Sequence, residues 1–446
     1  MLGSSGTDRT TAEEERRVTT LELFFDLVFV FTVTQLTVLF AHDFALPSLA
    51  RVVLVFTVLF WMYGGYAHLT NQVPPDRTRR RLLLMLAMCG FLMCALSVPT
   101  AFGAGGVPFG IGYLLVTAVH GLMYAEVHGR SVIWFATPNL LCALSVLAAG
   151  FFDGAPAWGL WVLALAFQFS TQLIVRFATT PPEVAEDTVS GQLGGMSAAH
   201  LVERHGLLLL IVFGESVIAI GIGVEGQPLT AGLFGGAFLA LAIGSALWWT
   251  YFVRDEGRAE EYLASVDGPT RFKLSMLAYY YFFLPVLIGV AIFAAGVKKA
   301  IGHLGESLAT GPALALAGGV GLYLAGDLAF RRVLRIGPLR FRAAALAGVL
   351  ATAAAGPRVN GAVELAALLA VLVTALAAES RWGTGAAAVP AAAAGPAAPE
   401  GPSEASSAAS SGVSSRVSSG VSSAPSVAPP AAPVGPDPAP AVETGR

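Results

Sequence analysis

The sequence predicts an all-α protein: a polytopic transmembrane helix bundle of about twelve helices, arranged as two parallel six-helix repeats. Three observations carry that expectation. Hydrophobic residues make up 55% of the 446 residues and charged residues only 12%, with a mean hydropathy of +0.69. A soluble domain is about 25% charged. Apolar runs of the length that crosses a bilayer, about 20 residues for about 30 Å of hydrocarbon, recur along the chain. Finally, three short stretches of the first half reappear in the same order in the second.

The spans fall near 21–40, 48–69, 82–100, 108–126, 131–151, 157–177, 206–224, 230–253, 274–296, 309–330, 341–356 and 361–378, the last two being Ala-rich. The basic residues support this alternation. With the N-terminus in the cytoplasm, one side holds Arg77, Arg79, Arg80, Arg81, Arg254, Arg258, Arg271, Arg331, Arg332, Arg335, Arg340, Arg342 and Arg381, among others. The other side keeps only Arg51, Lys298, Lys299 and Arg358. An excess of Arg and Lys marks the cytoplasmic face, so both termini are expected there, in the cell membrane.

The organisation follows. Residues 1–20 form a polar cytoplasmic segment without a cleavable signal, 21–177 a first six-helix repeat, 178–205 a cytoplasmic linker and 206–380 a second repeat. Residues 381–446, rich in Ala, Pro and Ser, lack the apolar surface that offsets ordering entropy and read as a disordered tail.

The repeat rests on three matches. LFFDLVFVF (Leu23–Phe31) parallels VFGESVIAI (Val212–Ile220), so that Asp26 falls on Glu215 at an offset of 189. LFWMY at Leu59 parallels LWWTY at Leu247, and LMLA at Leu84 parallels SMLA at Ser275. Both motif helices start on the same side, so the halves are parallel, a known transporter architecture.

The polar residues inside spans are the candidates for function. Glu22 and Asp26 are four apart and share one helix face. A charge at the centre of a membrane helix costs about 2.5–3.5 kcal/mol on insertion scales. Either the two acids pair with Arg204 or His205 and fix the halves together, or with Glu215 they line a cation or proton path. His120 reads as a core histidine or a proton carrier. Gln168 and Gln172, one turn apart, suit hydrogen bonds between helices. Asp327 lies four residues before Arg331, a spacing that favours a local ion pair. Glu203 completes the polar set.

Other chemistries find no footing. The net charge of -3 argues against a nucleic-acid partner. No phosphate-binding Gly loop, Cys-x-x-Cys, His-Glu-x-x-His or nucleophile elbow occurs, so no cofactor, no metal and no enzymatic activity is expected. The lipid bilayer is the one certain partner.

ELFFDLVFVFTVTQL (Glu22–Leu36) and ERHGLLLLIVFGESVIAIG (Glu203–Gly221) resemble the bacterial low temperature requirement protein A family. Glu22, Phe24, Phe25 and Asp26 match the first signature; Glu203, Arg204, Gly206, Gly214, Glu215 and Ser216 match the second. The resemblance covers about residues 15–380 and implies an integral membrane protein linked to growth in the cold. It supplies no molecular activity. A fainter likeness is to potassium channels built from six-helix repeats, whose Phe-Ser-Asp signature is shared here only as Phe-x-acid. The residues point to a cation- or proton-coupled transporter or channel. The competing reading is a non-transporting membrane scaffold or sensor.

Overall fold

In the computed structural model, residues 18–128, 132–177 and 196–383 are described, without side chains over 127–135 and 171–177. Residues 1–17 and the tail beyond 383 lie outside the described residues. Those described are helical, with no strand among them.

The elements are α1 Thr20–His42, α2 Leu46–Gln72, α3 Thr78–Ser97 with a 3-10 turn to Thr100, α4 Gly106–His128, α5 Val132–Ala149 and α6 Ala155–Phe177. Then come α7 Ala198–Gly223, α8 Ala231–Phe252, a short amphipathic α9 Asp255–Ser265 and α10 Gly268–Ser275. A π-helical stretch, Met276–Phe282, joins α10 to α11 Phe283–Ala300. The chain closes with α12 Thr310–Val333, α13 Arg340–Thr352, a single turn α14 Ala355–Arg358 and α15 Gly361–Trp382.

Nine spans among the described residues are long and apolar enough to cross a membrane: α1 to α4, α7, α8 extended by α9, α10 with α11, α12 and α15. The described parts of α5 and α6 are shorter apolar helices. The expected span 341–356 is the clearest departure. It is the 13-residue α13 followed by a turn, broken before Pro357. Each end of the segment has its own partner. Arg342 meets Glu379 near the last turn of α15, while Gly356 accepts from Leu308 N–H in the loop before α12.

The same six neighbour relations occur in each half. In the first, α1 packs on α2 and α3, α3 on α4, α4 on α5, α5 on α6, and α6 on α2. In the second, α7 packs on α8 and α11, α11 on α12, α12 on α13, α13 on α15, and α15 on α8. The two halves meet where α1 touches α7 and α11.

Lipid gives helices no hydrophobic reason to associate, so close approach through small residues matters. The α3–α4 contact is a crossing of Gly90 and Gly112, and the α11–α12 contact a crossing of Gly289 and Gly319. A Cβ on Gly289 would lie 2.5 Å from Tyr323 N and 2.7 Å from Gly319 O, both backbone atoms that cannot yield alone. Gly289→Ala is therefore expected to cost about 3 kcal/mol and to broaden or abolish the monodisperse peak in size-exclusion chromatography of detergent extracts. Gly214→Ala, where the added atom meets nothing within 4 Å, should leave the peak unchanged.

Candidate functional site

The charged site grows from the start of α1. Thr19 is its N-cap: its hydroxyl accepts from Glu22 N–H at 3.3 Å, and Glu22 Oε2 accepts from Thr19 N–H at 2.9 Å. This reciprocal capping box satisfies two of the orphan donors of the first turn. It also anchors Glu22, which is 1% exposed. One turn on, Asp26 is fully buried, while Phe24 and Leu27 on the far face are more than half exposed, as befits lipid contact.

The counter-charge comes from α7. That helix begins at Ala198, capped by Ser197, eight residues inside the segment expected as linker. His200, Glu203, Arg204 and His205 are thus helical residues. Arg204, 1% exposed, donates from Nη1 to Glu22 Oε1 at 2.9 Å and from Nη2 to Asp26 Oδ1 at 3.1 Å. Nη1 also donates to the hydroxyl of Thr70 on α2. Its guanidinium carbon lies 5.8 Å and 5.6 Å from the ring centres of Phe25 and Tyr63. His200 Nε2 stands 3.3 Å from Glu22 Oε1. Two carboxylates thus share one guanidinium across a separation of 178 residues or more. Asp26 Oδ2, Arg204 Nε and the Tyr63 hydroxyl make no hydrogen bond of ordinary geometry although all three are buried.

Glu215 is reached further along the same α1–α7 contact. It is 2% exposed, and its Oε2 accepts from the Thr34 hydroxyl of α1 at 2.6 Å. Thr37, one turn on, brings a second buried hydroxyl near the same carboxylate, without an ordinary hydrogen bond to it. Glu215 makes no ion pair among the described residues; Lys298 on α11 acts on it from beyond pairing distance. Thr34 is eight residues beyond Asp26, or about 12 Å. The aligned acids therefore meet the opposing helix at different levels.

The other candidates take structural places. Glu203 accepts from Val18 N–H at 3.2 Å. His205 is buried, bonded through Nδ1 to Leu201 O at 2.9 Å, with its ring 4.8 Å from that of Tyr279. His120 packs against the rings of Tyr66 and Tyr124. Gln168 donates to Val58 O and the Tyr113 hydroxyl, joining α6 to α2 and α4 as expected. Gln172 is on α6, but its side chain lies outside the described residues.

Sequence reasoning missed three features. The capping box was legible as Thr-x-x-Glu before an apolar run. Asn71, at the end of α2, exchanges two hydrogen bonds with Ser197 (3.0 and 2.9 Å), locking α2 to the start of α7. A second buried ion network occupies the same Arg-rich end. Arg331 pairs with Asp255 at 3.3 Å and Glu379 at 2.6 Å, and Arg342 with Glu379 at 2.9 Å and Asp327 at 3.8 Å. Asp327 thus pairs with Arg342 on α13, and not with Arg331 four residues on, because Arg331 is drawn to acids on α9 and α15.

Residues 17–378 match the family described as Bacterial low temperature requirement A protein. The match takes in α1 to α14, most of α15, and both clusters around Glu22 and Glu215. The chain belongs to this family. A curated relative, an uncharacterized protein of Rhizobium meliloti (strain 1021), is 26% identical over 325 residues, covering 70% of this chain and 76% of its own length. In this low temperature requirement A family member, both family-like signatures identified in the sequence thus converge on one interface: the first supplies Glu22, Asp26 and Thr34, the second Arg204 and Glu215.

Proposed function

We propose that the protein is a cation- or proton-handling transporter or channel of the cell membrane, not an enzyme, and that Glu215 is its central site residue. The observation that carries this reading is a buried carboxylate facing two hydroxyls without an ion-pair partner among the described residues. Such a group holds either a proton or a cation, because an isolated buried charge is too costly. A carboxylate with two hydroxyls is an all-oxygen donor set of the kind that suits hard cations and protons. Glu22 and Asp26 belong to the same interface, about 12 Å away along α1, where Arg204 occupies the place a cation would take.

The two-repeat arrangement is part of this reading. The six matching neighbour relations and the paired Gly crossings support duplication, with α13 and α14 completing a twelfth crossing. The Arg-rich end is then cytoplasmic. A scaffold reading has its own support, since the Glu22–Asp26–Arg204 cluster is internally compensated and ties the halves together.

Flux decides between them. Purified protein in liposomes should carry protons, Na⁺ or K⁺ at rates above protein-free liposomes, read with pH- and cation-sensitive dyes. Rates equal to protein-free controls for every cation would leave the scaffold reading standing.

A further inference from the structure

The strongest unassigned feature is at the opposite end from the two ion networks. Arg51 lies on α2, five residues after its first residue Leu46. It makes no ion pair and no hydrogen bond among the described residues, and its Nε is buried without a partner. Its guanidinium carbon is instead held 5.5 Å and 5.8 Å from the ring centres of Phe102 and Trp158. A cavity of about 210 Å³ opens beside it, with Thr100, Gly103 and Ala104 on its wall. Asp43, the acid in the preceding loop, is engaged by Ala45 N–H at 3.2 Å and the Ser48 hydroxyl at 3.0 Å.

The depth of this cavity is informative. α2 has 27 residues, about 40 Å at 1.5 Å each, against about 30 Å of hydrocarbon and 40–45 Å with headgroups. Arg51, about 7 Å in from the start of α2, thus falls at the boundary between acyl chains and headgroups. Aromatic residues favour that level, and Phe102, Trp158, Phe151 and Phe152 gather at this end. A guanidinium held over two rings on the wall of a cavity, with no acceptor among the described residues, suits a phosphate: its planar fork matches two phosphate oxygens, and stacking pre-organises it.

We infer that the Arg51 cavity binds a phosphate group, carried by a phospholipid headgroup or as free phosphate. The site is independent of the transport reading and concerns anions at the end where basic residues are few.

The test uses full-length protein purified in phosphate-free buffer and a detergent without phosphate, with Tm as readout. Dioleoylphosphatidylglycerol should raise Tm, and dioleoylglycerol, which lacks the phosphate, should not. Arg51→Gln should respond with a half-saturating concentration about tenfold higher, the loss of a charge-assisted hydrogen bond. Ala104→Glu puts a carboxylate on the cavity wall beside Arg51 and leaves its rings in place, so it should fold and show a response weakened to a similar degree. If inorganic phosphate alone reproduces the rise in the native protein and not in the variants, the ligand is free phosphate; if only the lipid does, it is a headgroup. An unchanged response in both variants, an equal rise with dioleoylglycerol, or no rise with either phosphate source overturns the assignment.

Discussion

Arg204→Met is expected to be the most damaging single substitution in the bundle. Glu22 and Asp26 are 1% and 0% exposed, and among the described residues Arg204 is the one guanidinium that bonds both. Removing one partner of a buried ion pair leaves an uncompensated charge, at a cost of about 3–5 kcal/mol. Here two carboxylates lose their partner together; among the described residues His200 is the ion-pair partner left beside Glu22. The variant should fail to accumulate as a monodisperse species in detergent. Replacing all three, Glu22→Gln, Asp26→Asn and Arg204→Met, removes the charges along with the attraction. It should recover much of the loss, as compensated replacements of buried ion networks can. Thr19 would still cap α1, because Gln also serves at that position of a capping box. Should Arg204→Met accumulate and unfold like the native protein, the lock has no energetic weight.

Glu215→Gln is expected to behave in the opposite way. Gln keeps the size of Glu and can still accept from the Thr34 hydroxyl, so the α1–α7 contact persists. No salt bridge is broken. Yield and Tm should stay close to native, while proton or cation flux in liposomes falls to the protein-free level. Asp26→Asn separates the two roles. It removes the Asp26–Arg204 pair but leaves Glu22 bound, so it should lower Tm with flux changed less than in Glu215→Gln. Full flux in Glu215→Gln would remove Glu215 from the pathway and favour the scaffold.

Much of the bundle was legible because its causes are local. Long apolar stretches fix where helices cross, and Arg at loop ends fixes their alternation. The 3.6-residue period puts Glu22, Asp26, Phe29 and Val33 on one face, and all four are buried. The Asp26–Glu215 match pointed correctly to helices that touch. Less legible was the 341–356 span, where Ala-rich composition is ambiguous between a crossing helix and the short α13 with a turn. The π-helical Met276–Phe282, which brings Tyr279 against His205 and Tyr280 onto Gly64 O at 3.1 Å, has no periodic signature.

The sequence by itself determined the class of protein, the position of most helices, the burial of both signature acids and, through Thr19 and Glu22, the start of α1. These follow from hydropathy, periodicity and capping, which act over one to six turns of chain. Only the tertiary structure decided which charge answers which. Asp26 pairs with Arg204, Asp327 with Arg342 rather than the conveniently spaced Arg331, and Glu215, among the described residues, with the Thr34 hydroxyl and no cation. The physical reason is that a buried charge takes the partner its whole surroundings bring into contact with it. In this bundle those surroundings are assembled from helices far apart in sequence.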